Sequence, residues 1–392
     1  MLIPYIMNAI LIHGDINQFA YKKGVFCVDA IVTLLHGIVS GLDKKETTIS
    51  KVLFLDFSSA FNTVLPNRLV KDLTRFLDEK WLVKWIADYM QGWTRQVKLN
   101  KGFSETSDIN VGVPQGGPLS ALLFTIYTDD LRSDSNCTVL KYADDTTISC
   151  NISKSSHRRN QSDYQNFISD IVDKCDEKNL ILNPKKSKEI VFQNINISHK
   201  GLTETRDEKL SINDNYVERT TSTTYLGVCI DNKLSFTKHI SKILSKVYFI
   251  VSTLTYIISY FPMNIRIRIF TACILPHIVY SVPACYHFLH VRDRNRILSF
   301  LRYCAIIFKL EKTTLVELVN NAARKEFIRL SDNILSNSNH PLHVDLKSMC
   351  KNTKYNLRNR AITPKFRTIV FRNSFLYMAA LYIQFGTLEP LL

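Results

Sequence analysis

The spacing of apolar positions changes period several times along the chain, and each change marks an element. Val28, Ile31, Leu34, Leu35 and Ile38 recur at three- and four-residue steps, which predicts a helix over residues 25–42. "KVLFLDF", 51–57, is a short and nearly continuous apolar run, as expected of a strand buried on both faces. "PNRLVKDLTRFL" opens with Pro66, a residue suited to the first helical turn, and "EKWLVKWIADYMQG" predicts a second helix that stops at Gly92. "TRQVKLN" predicts a strand that turns back at Lys101–Gly102. "VGVPQGGPLSALLFTIYTDDL" is a glycine-rich loop leading into a helix from about Leu119. "CTVLKYADDTTISC" predicts strand, two-residue turn near Asp144–Asp145, and strand. "QNFISDIVDKCDEKNL" is an amphipathic helix, and "KEIVF" and "TTYLGVCID" are further strands. From about residue 236 the period turns helical and holds to about 330, and the Ser/Asn-rich "SDNILSNSNHPLH", 331–343, marks a linker. The order predicts an α+β domain followed by a helical one.

Charge divides the chain at nearly the same place. Residues 1–150 carry 15 Lys and Arg against 16 Asp and Glu, whereas residues 151–392 carry 35 against 19. A basic, aromatic-rich second part points to a polyanionic partner, with a lysine-rich solvated surface as the plain alternative. The nine cysteines are odd in number and scattered, without CxxC or Cys/His spacing, which argues against zinc and for a reducing compartment. "VYFIVSTLTYIISYF", 247–261, is uncharged but falls short of the ~20 residues a membrane span needs. "ACILPHIVYSVPACYHFLH" is interrupted by Pro276 and Pro283. Both read as buried helices, so no membrane partner is expected.

Asp144 and Asp145 stand side by side inside an apolar, β-prone run. Adjacent like charges repel, and a cation is one way to hold them together. Asp56 ends another apolar strand 88 residues earlier, and if the two strands are neighbours the three carboxylates can meet. Oxygen ligands on rigid strands suit magnesium, which two-metal phosphoryl transfer requires. Alone, an acidic pair at a hairpin is an ordinary solvated turn. A second pair, Asp129–Asp130, near a predicted helix end, reads as a case of that kind.

"LFLDFSSAFNTV", "GVPQGGPLSALLF", "YADD", "NPKKSKEIVF" and "YLGVCID" occur in the order of reverse transcriptase motifs, and their wording resembles non-LTR (LINE-type) retrotransposons. "QFAYKKG…DAI", "SNHPLH" and "YNLRNRAITPKFRTIVFRNSF" resemble flanking segments. The resemblance implies a right-hand polymerase: partial fingers over 1–50, a palm over 51–235, a helical thumb over 236–330 and a basic C-terminal segment over 331–392. It implies an RNA-directed DNA polymerase that uses an RNA template, a DNA primer, dNTP and two Mg²⁺ (or Mn²⁺) ions, with the element's own RNA as partner, in nucleus and cytoplasm.

By the same resemblance Asp56, Asp144 and Asp145 are the catalytic, metal-holding carboxylates. Lys186 neutralises or protonates the leaving pyrophosphate, unless it belongs with Lys185 and Lys188 to a plain basic loop. Phe57, Phe61, Gln115, Gly116 and Tyr142 line the nucleotide pocket, Phe61 as the aromatic that rejects a ribose 2′-hydroxyl, or else as core packing. Leu226 and Gly227 form the primer grip, or a plain core strand. Lys238, Lys242 and Lys246 recur every four residues and so share one helix face able to track phosphates. Arg266, Arg268 and "RDRNR" (292–296) extend that basic surface.

The departures from the pattern are specific. The earlier finger strands and the upstream endonuclease are absent, "VFC" replaces a polar stretch, the second glycine of "PQGG" replaces serine or cysteine, and Ala121 replaces proline. These imply a truncated or decaying copy and leave a second reading open, a nucleic-acid-binding remnant without catalysis. A group II intron maturase or an RNA-dependent RNA polymerase is disfavoured by "FSSAFNTV" and Phe61.

Overall fold

The computed structural model describes residues 2–45, 47–100, 102–153, 157–193, 209–350, 364–386 and 392. The basic "YNLRNR" lies outside the described residues. The chain packs as two compact units, one of Met1–Ala30, Ser50–Glu189 and Ile195–Thr220, the other of Ile31–Ile49, Ile190–Asn194 and Thr221–Leu392.

The chain opens with α1 (Leu2–His13), α2 (Cys27–Asp43) and β1 (Thr47–Leu55). Three helices follow, α3 (Ala60–Thr63), α4 (Pro66–Leu73) and α5 (Lys80–Tyr89). Next come four short strands, β2 (Trp93–Arg95), β3 (Lys98–Leu99), β4 (Gly102–Phe103) and β5 (Ser107–Ile109), paired as β2 with β5 and β3 with β4. Then come α6 (Pro118–Tyr127), β6 (Cys137–Tyr142), β7 (Asp145–Ser153), α7 (His157–Glu177), β8 (Lys188–Gln193), the β9 (Ser211–Ile212) and β10 (Asn215–Tyr216) hairpin, and β11 (Glu218–Arg219).

The principal sheet has the order β11-β8-β1-β7-β6, so β1 is central and touches β7. That position explains the unbroken apolar run: Val52, Leu53 and Leu55 are all buried. Ile6 and Ile10 of α1, Leu69 and Leu73 of α4, Leu123 and Phe124 of α6 and Ile168 and Ile171 of α7 bury their apolar stripes in one core with Leu53 and Ile148 of the sheet. Each such side chain contributes about 1.5–3 kcal/mol relative to exposure.

The second unit holds the hairpin β12 (Ser222–Tyr225) and β13 (Val228–Asp231), followed by helices: α8 (Thr237–Leu254), α9 (Met263–Cys273), α10 (Leu275–Val279), α11 (Val282–Cys285), α12 (Val291–Phe308), α13 (Lys312–Ser336), α14 (His343–Met349), α15 (Ile369–Arg372) and α16 (Phe375–Phe385). Val247 and Val251 of α8, Phe300 and Phe308 of α12 and Val319 and Phe327 of α13 are buried. The predicted linker at 331–343 is corrected in its first half. Leu330 and Ile334 keep the helical spacing and are buried, so α13 runs on to Ser336 despite its Ser/Asn composition. Met263–Phe288 is long and apolar enough to cross a membrane by composition, but here it is broken into α9, α10, α11 and a 3-10 turn, and 61% of that window is buried.

Candidate active site

Asp56 directly follows β1, and Asp145 is the first residue of its sheet neighbour β7. Tyr142 and Asp145 are partners in the β6–β7 register, so the two turn residues are Ala143 and Asp144, one place earlier than the sequence pattern suggests. Ala143 accordingly takes a φ of 57°, a region that costs a residue with a Cβ about 1–2 kcal/mol. Asp144 and Asp145 thereby leave the hairpin at different levels, one from the turn and one from the strand.

Asp145 senses the other two carboxylates. Burial, then Asp144, then Asp56 raise the pKa of Asp145 above its ordinary value. The Tyr21 phenol is raised by burial and by Asp144. The Oδ2 atom of Asp56 is buried with no hydrogen-bond partner. Carboxylate oxygens are the donor type that hard divalent cations take, so the residue types, though not their spacing, suit magnesium. Among the described residues no three His, Cys, Asp or Glu side chains stand close enough to form a ready-made ligand cluster.

Backbone bonds bring Lys186 to Asp56. Asp56 O accepts from Asn183 N at 2.8 Å, and Asp56 N donates to Ser187 Oγ at 3.1 Å, which ties the Asn183–Ser187 turn to the end of β1. Lys186 Nζ then lies 3.9 Å from Asp56 Oδ2, an exposed ion pair. Phe57 forms an antiparallel bridge with Leu182 beside it.

Phe61 stacks on Phe124 at 4.5 Å between centroids and packs against the core. Gly112 N donates to Val64 O at 2.7 Å and Val113 N to Phe61 O at 2.9 Å, fastening the glycine loop to α3. Gly112 has φ +94°, and a Cβ there would stand 3.0 Å from Asn62 Cα. Downstream, Gln115 Nε2 donates to Asn62 Oδ1 at 2.9 Å, and Gly116 has φ +96° with open space beside it.

Sequence reasoning missed the segment that braces the hairpin. Gln18 bridges Lys141 in parallel, with Phe19 N donating to Lys141 O at 2.8 Å and Lys141 N to Asn17 O at 2.9 Å. Gln18 Oε1 also accepts from Ala143 N at the strained turn. Lys141 is fully buried: Nζ donates to Thr128 O and Leu131 O and lies 3.0 Å from Asp15 Oδ2. A polar stretch, "GDINQF", without apolar periodicity was the available signal.

Asp129–Asp130 is corrected. Asp129 is 3% exposed, pairs with Arg132, and accepts from Asp15 N. Asp130 Oδ2 lies 2.9 Å from Lys178 Nζ, which also reaches Asp72 Oδ2 at 2.7 Å. Protein cations, not solvent, neutralise this pair, and one of them is buried and comes from far along the chain.

In the second unit, β12 and β13 register from Ser222↔Asp231 to Tyr225↔Val228, leaving Leu226 and Gly227 as the turn with φ 44° and 82°. Asp231 then accepts from the backbone N–H groups of Lys233, Ser235 and Phe236, bending the chain into α8. Lys238, Lys242 and Lys246 are exposed along one face of α8. A polar groove of about 370 Å³ lies between α8 and α12, lined by Ser241, Ser245, Tyr248, Arg292 and Arg296 among others. Arg266 is withdrawn from the basic surface: it donates to Phe261 O and Phe308 O, closing helix ends. Arg296 is also tethered, to Asp293 and Ser241.

The carboxylate-bearing hairpin thus lies beside the central strand, with the lysine turn tied to that strand's end and the glycine loop fastened to α3. Residues 5–230 match the reverse transcriptase (RNA-dependent DNA polymerase) family, and the chain belongs to it. It is similar to the RNA-directed DNA polymerase from mobile element jockey of Drosophila melanogaster, 23% identical over 298 residues, 71% of this chain and 31% of that protein. It is also similar to the probable RNA-directed DNA polymerase from transposon X-element of the same species, 25% identical over 236 residues, 58% of this chain and 24% of that protein. The chain thus spans less than a third of the length of these curated relatives. Among solved structures, apo telomerase from Candida tropicalis matches with TM-score 0.41 and 12% identity, over 88% of this chain and 59% of that one. The mobile-element origin of these relatives agrees with the retrotransposon resemblance of the motifs.

Proposed function

We propose that this chain is the palm and thumb of a non-LTR retrotransposon reverse transcriptase, joining a dNTP to a primer 3′-hydroxyl on an RNA template, the element's own. The observation that carries the reading is that Asp56 follows the central strand and Asp145 begins the strand paired beside it. In the reaction the primer 3′-oxygen bonds the α-phosphorus, the α–β bridging bond breaks, and pyrophosphate leaves. Asp56, Asp144 and Asp145 would hold Mg²⁺, which when bound would supply charge neutralisation for the hydroxyl and the triphosphate. Lys186, tied to Asp56, offers an ammonium to the leaving phosphate oxygen. The glycine loop with Gln115 and Gly116 lets the backbone approach the nucleotide, and Phe61, Phe57 and Tyr142 wall the pocket. The lysines of α8 track the backbone of the template–primer duplex.

Primer extension on an RNA template with Mg²⁺ is the test. Asp144→Asn should reduce extension at least about 100-fold, since the lost charge stabilisation amounts to several kcal/mol. Equal extension by parent and variant removes the site. A second reading, a nucleic-acid-binding remnant, is favoured by the open spacing of the carboxylates and by the basic face of α8. Mg²⁺-dependent dNTP binding by the folded chain separates the two, because only the polymerase binds nucleotide with metal.

A further inference from the structure

Four hydrogen bonds form a closed circuit around the β12–β13 turn. Cys229 N donates to His239 Nδ1 at 3.4 Å, and His239 Nε2 lies 3.3 Å from Ser281 Oγ. Ser281 Oγ donates to Tyr280 O at 2.6 Å, and Tyr280 OH donates to Leu226 O at 2.6 Å. The directions require one tautomer: a neutral ring that accepts at Nδ1 and donates at Nε2. Burial keeps His239 neutral, with its pKa lowered to about 4. Ser281 holds a φ of 61°, a strained conformation that turns Tyr280 and Ser281 toward different ends of the circuit. The Tyr280 ring lies so close to Gly227 that a Cβ there would stand 3.4 Å from Cε1. A two-residue turn with both φ values positive is intrinsically short and adaptable, and here its carbonyl and its glycine are both held by one side chain.

We propose that Tyr280 is the positioning residue of the Leu226–Gly227 turn, fixing the backbone that supports the primer terminus. The inference rests on the polymerase reading for what the turn touches, and on the circuit for how the turn is held. Tyr280 itself contacts no reacting atom. It acts by denying the turn alternative conformations, so its loss should affect the placement of the primer end more than the binding of the duplex.

The experiment compares the full chain with Tyr280→Phe, which keeps the ring and removes only the hydroxyl, and with Tyr280→Ala. Amide hydrogen exchange over residues 225–229 reports the grip without any need for activity. Loss of one neutral hydrogen bond should speed exchange there roughly threefold to tenfold in Tyr280→Phe, with α12 and α13 unchanged. A primer ending in 4-thiothymidine, annealed to RNA and irradiated, should crosslink to the hairpin with severalfold lower yield in the variant, while affinity for a fully duplex primer–template stays constant. Unchanged exchange at the turn overturns the grip. Faster exchange with unchanged crosslinking overturns the link to the primer end. Faster exchange throughout the unit, with weaker duplex binding, makes Tyr280 a plain structural residue. If instead Asp144→Asn extends primers normally, the polymerase reading fails while turn exchange still decides the role of Tyr280.

Discussion

Lys178→Met should be among the most damaging single changes to the first unit, although Lys178 lies outside the candidate site. Its side chain is 1% exposed, and its ammonium reaches Asp72 Oδ2 at 2.7 Å, Asp130 Oδ2 at 2.9 Å and Tyr127 O at 2.6 Å while lying 4.9 Å from the Tyr127 ring centroid. Methionine fills the space but leaves two carboxylates facing each other. Removing one partner of a buried ion pair costs about 3–5 kcal/mol, which is a drop of roughly 150- to 5,000-fold in the folding equilibrium. Against a total stability of about 5–15 kcal/mol, that is enough to unfold a marginal domain. The assay is urea unfolding followed by tryptophan fluorescence. Trp81, Trp85 and Trp93, the three tryptophans of the chain, all lie in the first unit, so the signal follows that unit alone. The sign of the pH dependence is an internal check. In the variant the stranded carboxylates should have folded pKa values above their unfolded ones, so the folded form binds more protons, and the gap between variant and parent should narrow as pH falls from 7 toward 4. Lys178→Met combined with Asp72→Leu should recover part of the loss. A loss below ~1 kcal/mol at pH 7, the size of an exposed pair, would show that solvent screens this cluster and would refute the reasoning.

Three further outcomes follow from other parts of the molecule. His239 is neutral in the fold with a pKa lowered from 6.5 to about 4, so the unfolded chain binds the extra proton between those values; stability of the second unit should fall as pH drops from 6.5 to 4, and His239→Gln should flatten that slope when exchange of the α8 amides is followed against pH. Replacing Lys238, Lys242 and Lys246 by Gln should lower the slope of log affinity for a primer–template duplex against log salt by about 2–3, and an unaltered slope would mean a merely solvated face. Gly112→Ala should destabilise the first unit by about 1–3 kcal/mol in the same urea assay, because a Cβ at φ +94° would press on the Asn62 backbone.

What the sequence makes legible depends on the range of the interaction. β1 is recognisable because a central strand must be apolar on both faces, and residues 51–55 have almost no polar interruption. α2 and α4 through α6 are recognisable because Leu, Ile and Val recur at helical spacing and Pro66 and Gly92 punctuate the run. The neighbourhood of Asp56 and Asp145 can be stated only conditionally, since no local pattern says which strands pair. The circuit through His239, Ser281, Tyr280 and Leu226 is invisible, because two of its hydrogen bonds join residues 42 and 54 positions apart, which no local spacing links. The Ser/Asn stretch misleads for the opposite reason: its composition suggests a linker, while the spacing of Leu330 and Ile334 carries the helix.

The two acidic pairs make the limit sharp. Asp129–Asp130 and Asp144–Asp145 share the same dipeptide and a similar place at the end of an apolar run, so sequence alone separates a solvated pair from a functional one only by the company each keeps. In the fold, what separates them is the kind of partner. Asp129 and Asp130 meet resident cations, Arg132 and Lys178, whose long side chains are themselves buried or tethered. The carboxyl of Asp145 meets two other acids, and Asp56 Oδ2 meets no hydrogen-bond donor, with the exposed Lys186 at 3.9 Å. Asp144 and Asp145 are exposed and Asp56 is half-buried, so solvent shares in screening this group. The first pair is tied into the fold by its ion pairs, although Asp130 Oδ1 has no hydrogen-bond partner, and its removal should cost stability. The second is exposed beside the end of the central strand, and on the polymerase reading its removal should cost function; Asp130→Asn and Asp144→Asn, compared for unfolding midpoint and for Mg²⁺-dependent dNTP binding, should separate along those two axes.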